Sequence, residues 1–190
     1  MYLLEKEKKL VAQAKKGNRR AIATLYDGLF PGIYAYTRMR LPTTADAEDI
    51  VSETFLAVVD RLPDFQWQHS GSFRSWVFQI ARNHIANFYR RNGHRTTVPL
   101  PEAAHALATA PTALEDSFVQ KQSLDHLLLK INELSPRRQE VVLLRYFGGL
   151  RNNEIAAALE LDERTISAHL SRALADLQAE LYADQEVTQS

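Results

Sequence analysis

The stretch Phe73-Arg74-Ser75-Trp76-Val77-Phe78-Gln79-Ile80-Ala81-Arg82-Asn83-His84-Ile85-Ala86-Asn87-Phe88-Tyr89 decides the fold class. Phe73, Trp76, Val77, Ile80, Ala81, Ile85, Phe88 and Tyr89 recur at three- and four-residue steps, the spacing of one buried helix face. Asn92-Gly93 then supplies a C-terminal stop. No segment reads as a strand, and helical periodicity continues in both directions.

Upstream, Asn18 can cap a helix through Leu25 and Tyr26. Another helix carries Leu29, Phe30, Ile33, Tyr34 and Thr37 until Pro42 stops it. Thr43 or Thr44 opens a third, with Ile50, Val51, Phe55, Val58 and Val59 on one face and Asp46, Glu48, Asp49 and Glu53 around it. Leu62-Pro63 ends that helix. Downstream, residues 96–112 hold three prolines, few large apolar groups and no Lys or Arg, the composition of a linker. Beyond it Leu114, Phe118, Leu124, Leu127, Leu128 and Ile131 fit an amphipathic helix. Ser135-Pro136 restarts the chain as N-cap and first helical residue, and Gly148-Gly149 ends that helix. Asn152 can cap a short helix, 153–159. A tight turn at Glu160-Leu161-Asp162 precedes a last helix with Ile166, Leu170, Ala173, Leu174 and Leu177. Short helix, three-residue turn and second helix, with Ala156-Ala157 at the crossing, fit a helix-turn-helix. The fold class is therefore all-α, with two small helical domains, an N-terminal bundle and a C-terminal helix-turn-helix domain, on a flexible linker. The expected boundaries are 1–95, a linker at 96–119, 120–182, and a disordered tail at 183–190.

The chain has 190 residues, 23 Lys+Arg against 23 Asp+Glu, and no cysteine. Disulfides, thiolate zinc sites and cysteine nucleophiles are thereby excluded. No apolar stretch nears the roughly 18 residues that a membrane span needs. Met1-Tyr2-Leu3-Leu4-Glu5-Lys6 turns charged at once, so a cytoplasmic protein without membrane insertion is expected. Zero net charge conceals segregation. Residues 1–20 carry seven Lys/Arg and two acids, whereas residues 46–64 carry six acids and one Arg. Residues 82–95 carry four Arg, two His and no acid. Local charge sets the field that a phosphate or partner meets. The histidines form no pair at ligand spacing and no phosphate loop or nucleophile elbow appears. No catalytic residue, metal site or cofactor is expected, and the protein is not read as an enzyme.

Three constellations remain. A recognition helix needs short polar and basic side chains where it enters the major groove, and Arg164, Thr165, Ser167 and Arg172 supply them. Exposed bases need flat stacking surfaces beside cations. Phe65, Trp67, His69, Phe73, Arg74, Trp76, Arg82, Asn83, Asn87, Arg90 and Arg91 offer that mixture, although Phe73 and Trp76 sit at core spacing. The acidic-apolar helix Asp46–Phe55 suits docking of a basic partner helix better than metal or acid/base chemistry.

Taken in order, these segments resemble the extracytoplasmic-function (ECF) sigma factors, two-domain specificity subunits of bacterial RNA polymerase. The resemblance covers roughly residues 8–94 and 120–182. Asp46-Ala47-Glu48-Asp49-Ile50-Val51-Ser52-Glu53-Thr54-Phe55 is similar to the family's polymerase-binding helix. It implies contacts from Asp46, Glu48, Asp49, Ile50, Glu53 and Phe55 to the clamp helices of the largest subunit. The stretch from Phe73 to Asn83 is similar to the promoter-melting helix. It implies −10 contacts from Trp67, His69, Ser72, Phe73, Arg74, Trp76, Arg82, Asn83, Asn87 and Arg90, with a flipped base near the 65–72 loop. Leu134–Val142 with Glu154-Ile155-Ala156 and Thr165-Ile166 is similar to the −35-reading domain. That implies Arg164, Thr165, Ser167, His169 and Arg172 on DNA, and the polymerase β-flap as a partner. An anti-sigma factor is a further implied partner. Glu160 departs from the family, where the turn commonly holds glycine, and Asp162-Glu163 adds negative charge beside DNA. Two rivals stay open. Thr165-Ile166-Ser167-Ala168-His169-Leu170 also fits response-regulator DNA-binding domains, and an interaction adaptor without DNA binding would use the same charge blocks.

Overall fold

The computed structural model describes residues 2–68, 72–92 and 126–188, the side chains of 2–4, 72 and 180–188 excepted. The helices are α1 (Tyr2–Lys15), α2 (Arg19–Arg38), α3 (Thr44–Arg61) with a 3₁₀ turn at Leu62–Asp64, and α4 (Ser72–Arg91). They continue with α5 (126–133), α6 (Pro136–Val142) running into a π turn (Leu143–Phe147), α7 (Asn152–Leu159) and α8 (Glu163–Thr188). No strand occurs among the described residues, so the all-α expectation holds. The expected linker and the helix positions Leu114, Phe118 and Leu124 lie outside the described residues.

Local signals explain most helix ends. Asn18 Oδ1 accepts the N–H groups of Arg20 and Ala21 at 3.0 and 3.1 Å, satisfying two donors that a helix start leaves open. Thr43 Oγ1 does the same for Asp46 at 3.1 Å. Two details differ from expectation. Ser135 stands at the N-cap of α6, but its hydroxyl makes no capping bond. Arg151, not Asn152, precedes α7, and Glu154 reaches back to accept the Arg151 N–H at 2.8 Å.

The largest difference lies in α2, which is one 20-residue helix where two were expected. Pro31 sits inside it and removes one backbone donor. A continuous buried stripe of Ala21, Leu29, Ile33 and Tyr36 holds the helix straight through that defect. Burying each large apolar side chain contributes about 1.5–3 kcal/mol, enough to outweigh one lost bond.

Packing of α1 on α2, α2 on α3 and α3 on α4 forms the N-terminal region. Ile33, Val77, Phe78 and Ala81 are fully buried at its centre. In the C-terminal region α6 and α7 both pack on α8, burying Leu143, Leu144, Leu150, Ile155 and Ile166. The π turn closes with the Gly148 N–H on the Leu143 carbonyl at 2.9 Å, a five-residue step.

The two regions also pack on each other, which their reading as tethered modules did not foresee. Helix α4 lies against α7, and α2 against the π turn. Glycine permits this approach: a Cβ on Gly32 would stand 2.6 Å from the Gly148 carbonyl oxygen. A Cβ on Gly148 would meet the Phe78 ring at 2.8 Å.

Candidate nucleic-acid interface

The acidic helix α3 displays Glu48, Asp49 and Glu53 to solvent, with Asp46 half-buried. Ile50 and Phe55, expected to reach a partner, belong instead to the core of this structure, and Tyr26 stacks against Phe55 at 4.4 Å. Val59, expected on the buried face, is 49% exposed, and Leu56 is 72% exposed. The exposed face thus combines carboxylates with two unshielded apolar side chains. Glu53 is joined to α4 through His84 Nδ1 at 2.9 Å. A cleft of about 330 Å³ between α3 and α4 brings Asp49 and Glu53 near Asn87.

Of the aromatic-basic set, Phe73 is buried and packs against Phe65 at 5.3 Å, the core role its spacing favoured. Trp76 is half-buried, with its ring 4.9 Å from Phe65. Trp67 is less free than its polar loop suggested, since it lies edge-on to Phe65 with the Lys8 ammonium 5.7 Å from its ring centre. His69 and the Ser72 side chain lie outside the described residues. Asn83 and Arg90 are exposed and Asn87 half-buried, and Arg90 donates to Asn87 at 2.9 Å. Beside Trp76 opens a cleft of about 560 Å³, lined by Arg61, Asp64, Gln66, Gln68 and Gln79. Sequence spacing did not single out these polar residues, because they come from a turn and a helix that meet only in the fold. Lys15 pins this turn by donating to the Phe65 carbonyl at 2.8 Å.

Arg74 and Arg82 face the C-terminal region. Arg74 Nη2 lies 3.3 Å from the carbonyls of both Gly148 and Gly149, and Arg82 Nη1 donates to the Ala158 carbonyl at 2.6 Å. Arg82 Nε also meets Glu140 at 2.9 Å, while Arg40 reaches the other Glu140 oxygen at 3.1 Å. Tyr36 donates to Glu140 at 2.6 Å. Burial alone would raise the Glu140 pKa, but Arg40, the Tyr36 hydroxyl and Arg82 outweigh it and hold the carboxyl below its usual range. Burial, then the Glu140 charge, push the Tyr36 phenol well above its ordinary value. This network was missed, although one signal was present. Glu140 stands one turn before Leu144, so it shares the apolar face, and a buried acid there demands a cation.

In the helix-turn-helix, Arg164 and Arg172 are exposed. Thr165 and Ser167 are committed locally. The Thr165 N–H and hydroxyl both donate to Asp162, at 2.7 and 2.5 Å, and lower the Asp162 pKa. Ser167 donates to the Glu163 carbonyl and accepts from Asn152 at 3.1 Å. His169 is half-buried. Glu160 holds the left-handed conformation, φ 55°, that glycine takes without strain. Among the described residues no group of three or more His, Cys, Asp or Glu could hold a metal ion. No helix among them is long and apolar enough to cross a membrane.

These features define a two-region helical protein with an acidic helix, an aromatic-basic helix and a C-terminal helix-turn-helix. Comparison with known proteins gives the same order. Sigma-70 region 2 matches residues 25–95, and Sigma-70 region 4 matches residues 124–177. The ECF RNA polymerase sigma factor BldN of Streptomyces coelicolor is 34% identical over 88% of this chain, which spans 63% of that relative's length. The RNA polymerase sigma factor CnrH of Cupriavidus metallidurans is 29% identical over 93% of this chain and 95% of its own. The solved structure of CnrH in complex with the cytosolic domain of CnrY superposes with a TM-score of 0.68 at 27% identity, covering 94% and 98% of the two chains. The chain belongs to the ECF sigma factors of RNA polymerase.

Proposed function

We propose that this chain docks on core RNA polymerase through α3, directs it to promoters, and helps open the duplex. The observation that carries this reading is the exposed face of α3, where Glu48, Asp49 and Glu53 flank the uncovered Leu56. Acid beside apolar surface suits a basic amphipathic partner, here the clamp helices of the largest subunit. The cleft at Trp76 is the seat of a flipped −10 base. Unstacking a base costs a few kcal/mol. Stacking on an aromatic ring returns about 1–3 kcal/mol, so polymerase contacts supply the remainder. The polar rim of Gln66, Gln68 and Asp64 offers hydrogen bonds to base edges. Asn83, Asn87, Arg74, Arg82 and Arg90 accompany the strand.

The C-terminal region reads −35 duplex through Arg164 and Arg172, with Thr165, Ser167 and His169 beside them, and meets the polymerase β-flap. The local bonds of Thr165 and Ser167 leave the two arginines as its main free donors. The chain acts in the cytoplasm by binding alone, with bond-making left to the polymerase. Since CnrH is solved with a fragment of CnrY, an anti-sigma factor is a fitting regulator here too. The boundaries near 95 and 120 separate the two DNA-reading modules.

Co-elution with bacterial core polymerase tests the docking step. Wild type should co-elute tightly and Asp49→Arg/Glu53→Arg should not. Failure of the wild type to bind would overturn the reading in favour of a stand-alone regulator. Binding of the holoenzyme to promoter DNA should also fall steeply with salt through counterion release, whereas an adaptor would not distinguish promoter from random DNA.

A further inference from the structure

We propose that the free chain closes on itself, with the C-terminal region covering part of the single-strand face of α4 and so restraining the protein from DNA. The inference rests on the reading of α4 as that face. Four consecutive positions on one side of α4 are engaged by the C-terminal region. Arg74 points at the Gly148 and Gly149 carbonyls, and Ser75 Oγ donates to the Glu154 carbonyl at 2.9 Å. Gln79 donates to the Ala157 carbonyl at 3.2 Å, and Arg82 is held by Ala158 and Glu140. Most of these acceptors are carbonyls of α7 and its flanking turns, including the last carbonyls of α7, which carry partial negative charge. They offer α4 the oxygen chemistry that a phosphate backbone would offer, so each arginine serves one or the other. Ala157 also forms part of the wall of the Trp76 cleft.

Two devices hold the closure. One is electrostatic: Glu140 of the C-terminal region bridges Tyr36, Arg40 and Arg82 of the N-terminal region. The other is steric. Gly32 on α2 and Gly148 after the π turn come so close that a single methyl group would separate them.

That contact supplies a selective wedge. Gly32→Ala lies within α2, where alanine is the better helix former, and the Gly148 backbone is the group it would strike. The chain contains no cysteine, so Ala23→Cys and Ala175→Cys, both exposed, accept a donor and an acceptor dye on opposite regions. Energy transfer in the full-length labelled chain should be lower in Gly32→Ala than in its parent at unchanged helix content. Affinity for a fluorescein-labelled random-sequence single strand should rise about tenfold, as expected when a mostly closed population is released. Glu140→Gln should move both readouts the same way by the electrostatic route. Unchanged energy transfer in both folded variants would overturn the closure. Lower transfer without tighter binding would overturn the masking of DNA. In that case Trp76→Ala in the holoenzyme separates the causes, since retained promoter opening would place the failure in the DNA reading itself.

Discussion

Replacing Glu140 by glutamine should destabilise the protein by about 3 kcal/mol. The side chains of Glu140, Arg40 and Arg82 are 10%, 13% and 29% exposed, so the charges meet largely out of water. Glutamine keeps the shape and can still accept from Tyr36, but it leaves two guanidinium groups facing each other without a counter-charge. Breaking one side of a buried pair typically costs about 3–5 kcal/mol. Arg82 can swing its guanidinium towards solvent, which favours the lower end of that range. For a chain of this size the loss corresponds to a fall in melting temperature of roughly 6–12 °C. Urea unfolding followed by circular dichroism measures it, with the slope checked for constancy. The triple variant Tyr36→Phe/Arg40→Met/Glu140→Leu should recover much of the loss, because an apolar replacement leaves no charge orphaned. A Glu140→Gln loss below about 1 kcal/mol, the scale of an exposed pair, would show that water already reaches these charges and would refute the buried network.

Acid should erase the same effect. The folded pKa of Glu140 lies below its unfolded value, so its contribution is complete above the ordinary carboxyl pKa of about 4.3 and is lost as pH falls through the folded value. The gap between wild type and Glu140→Gln in urea midpoint should therefore narrow below that pH. Glu160→Gly should stabilise the protein by about 1 kcal/mol, because the left-handed backbone at φ 55° costs a side-chain-bearing residue roughly that much, and thermal unfolding will read it. Phe78→Ala should cost about 3–5 kcal/mol in urea unfolding, since this fully buried ring packs at 5.7 Å on Tyr36 and against Gly148 and leaves a cavity when removed.

Much of the architecture was legible because helix periodicity and end signals are local. Asn18, Thr43 and Asp162 cap the helices their positions announced. The heptad-like spacing from Phe73 to Tyr89 marked a helix that spans Ser72–Arg91. Where local rules met tertiary packing they gave way. Helix α2 runs through Pro31 because its buried stripe is continuous, and Val59 faces solvent although its spacing placed it inside. The candidate site was legible by residue type but not by neighbourhood. Nothing in the spacing of Gln66, Gln68 and Gln79 shows that they share a cleft, nor that Arg82 and Glu140, 58 residues apart, share a proton-accepting contact. Such partners are chosen by the packing of α4 on α7, which depends on both helices at once.

The π turn at Leu143–Phe147 gives the chain an unusual sensitivity to length. One extra residue in a helical turn rotates everything after it by about 100° around the axis. Before the turn, α6 aims Val141 and Val142 into its own core; after it, Gly148 is delivered to α2. Deleting one residue between Leu143 and Phe147 would let an ordinary helix form with little change in composition. The glycine pair would then point past each other, and the two halves would lose their seam while each kept its own core.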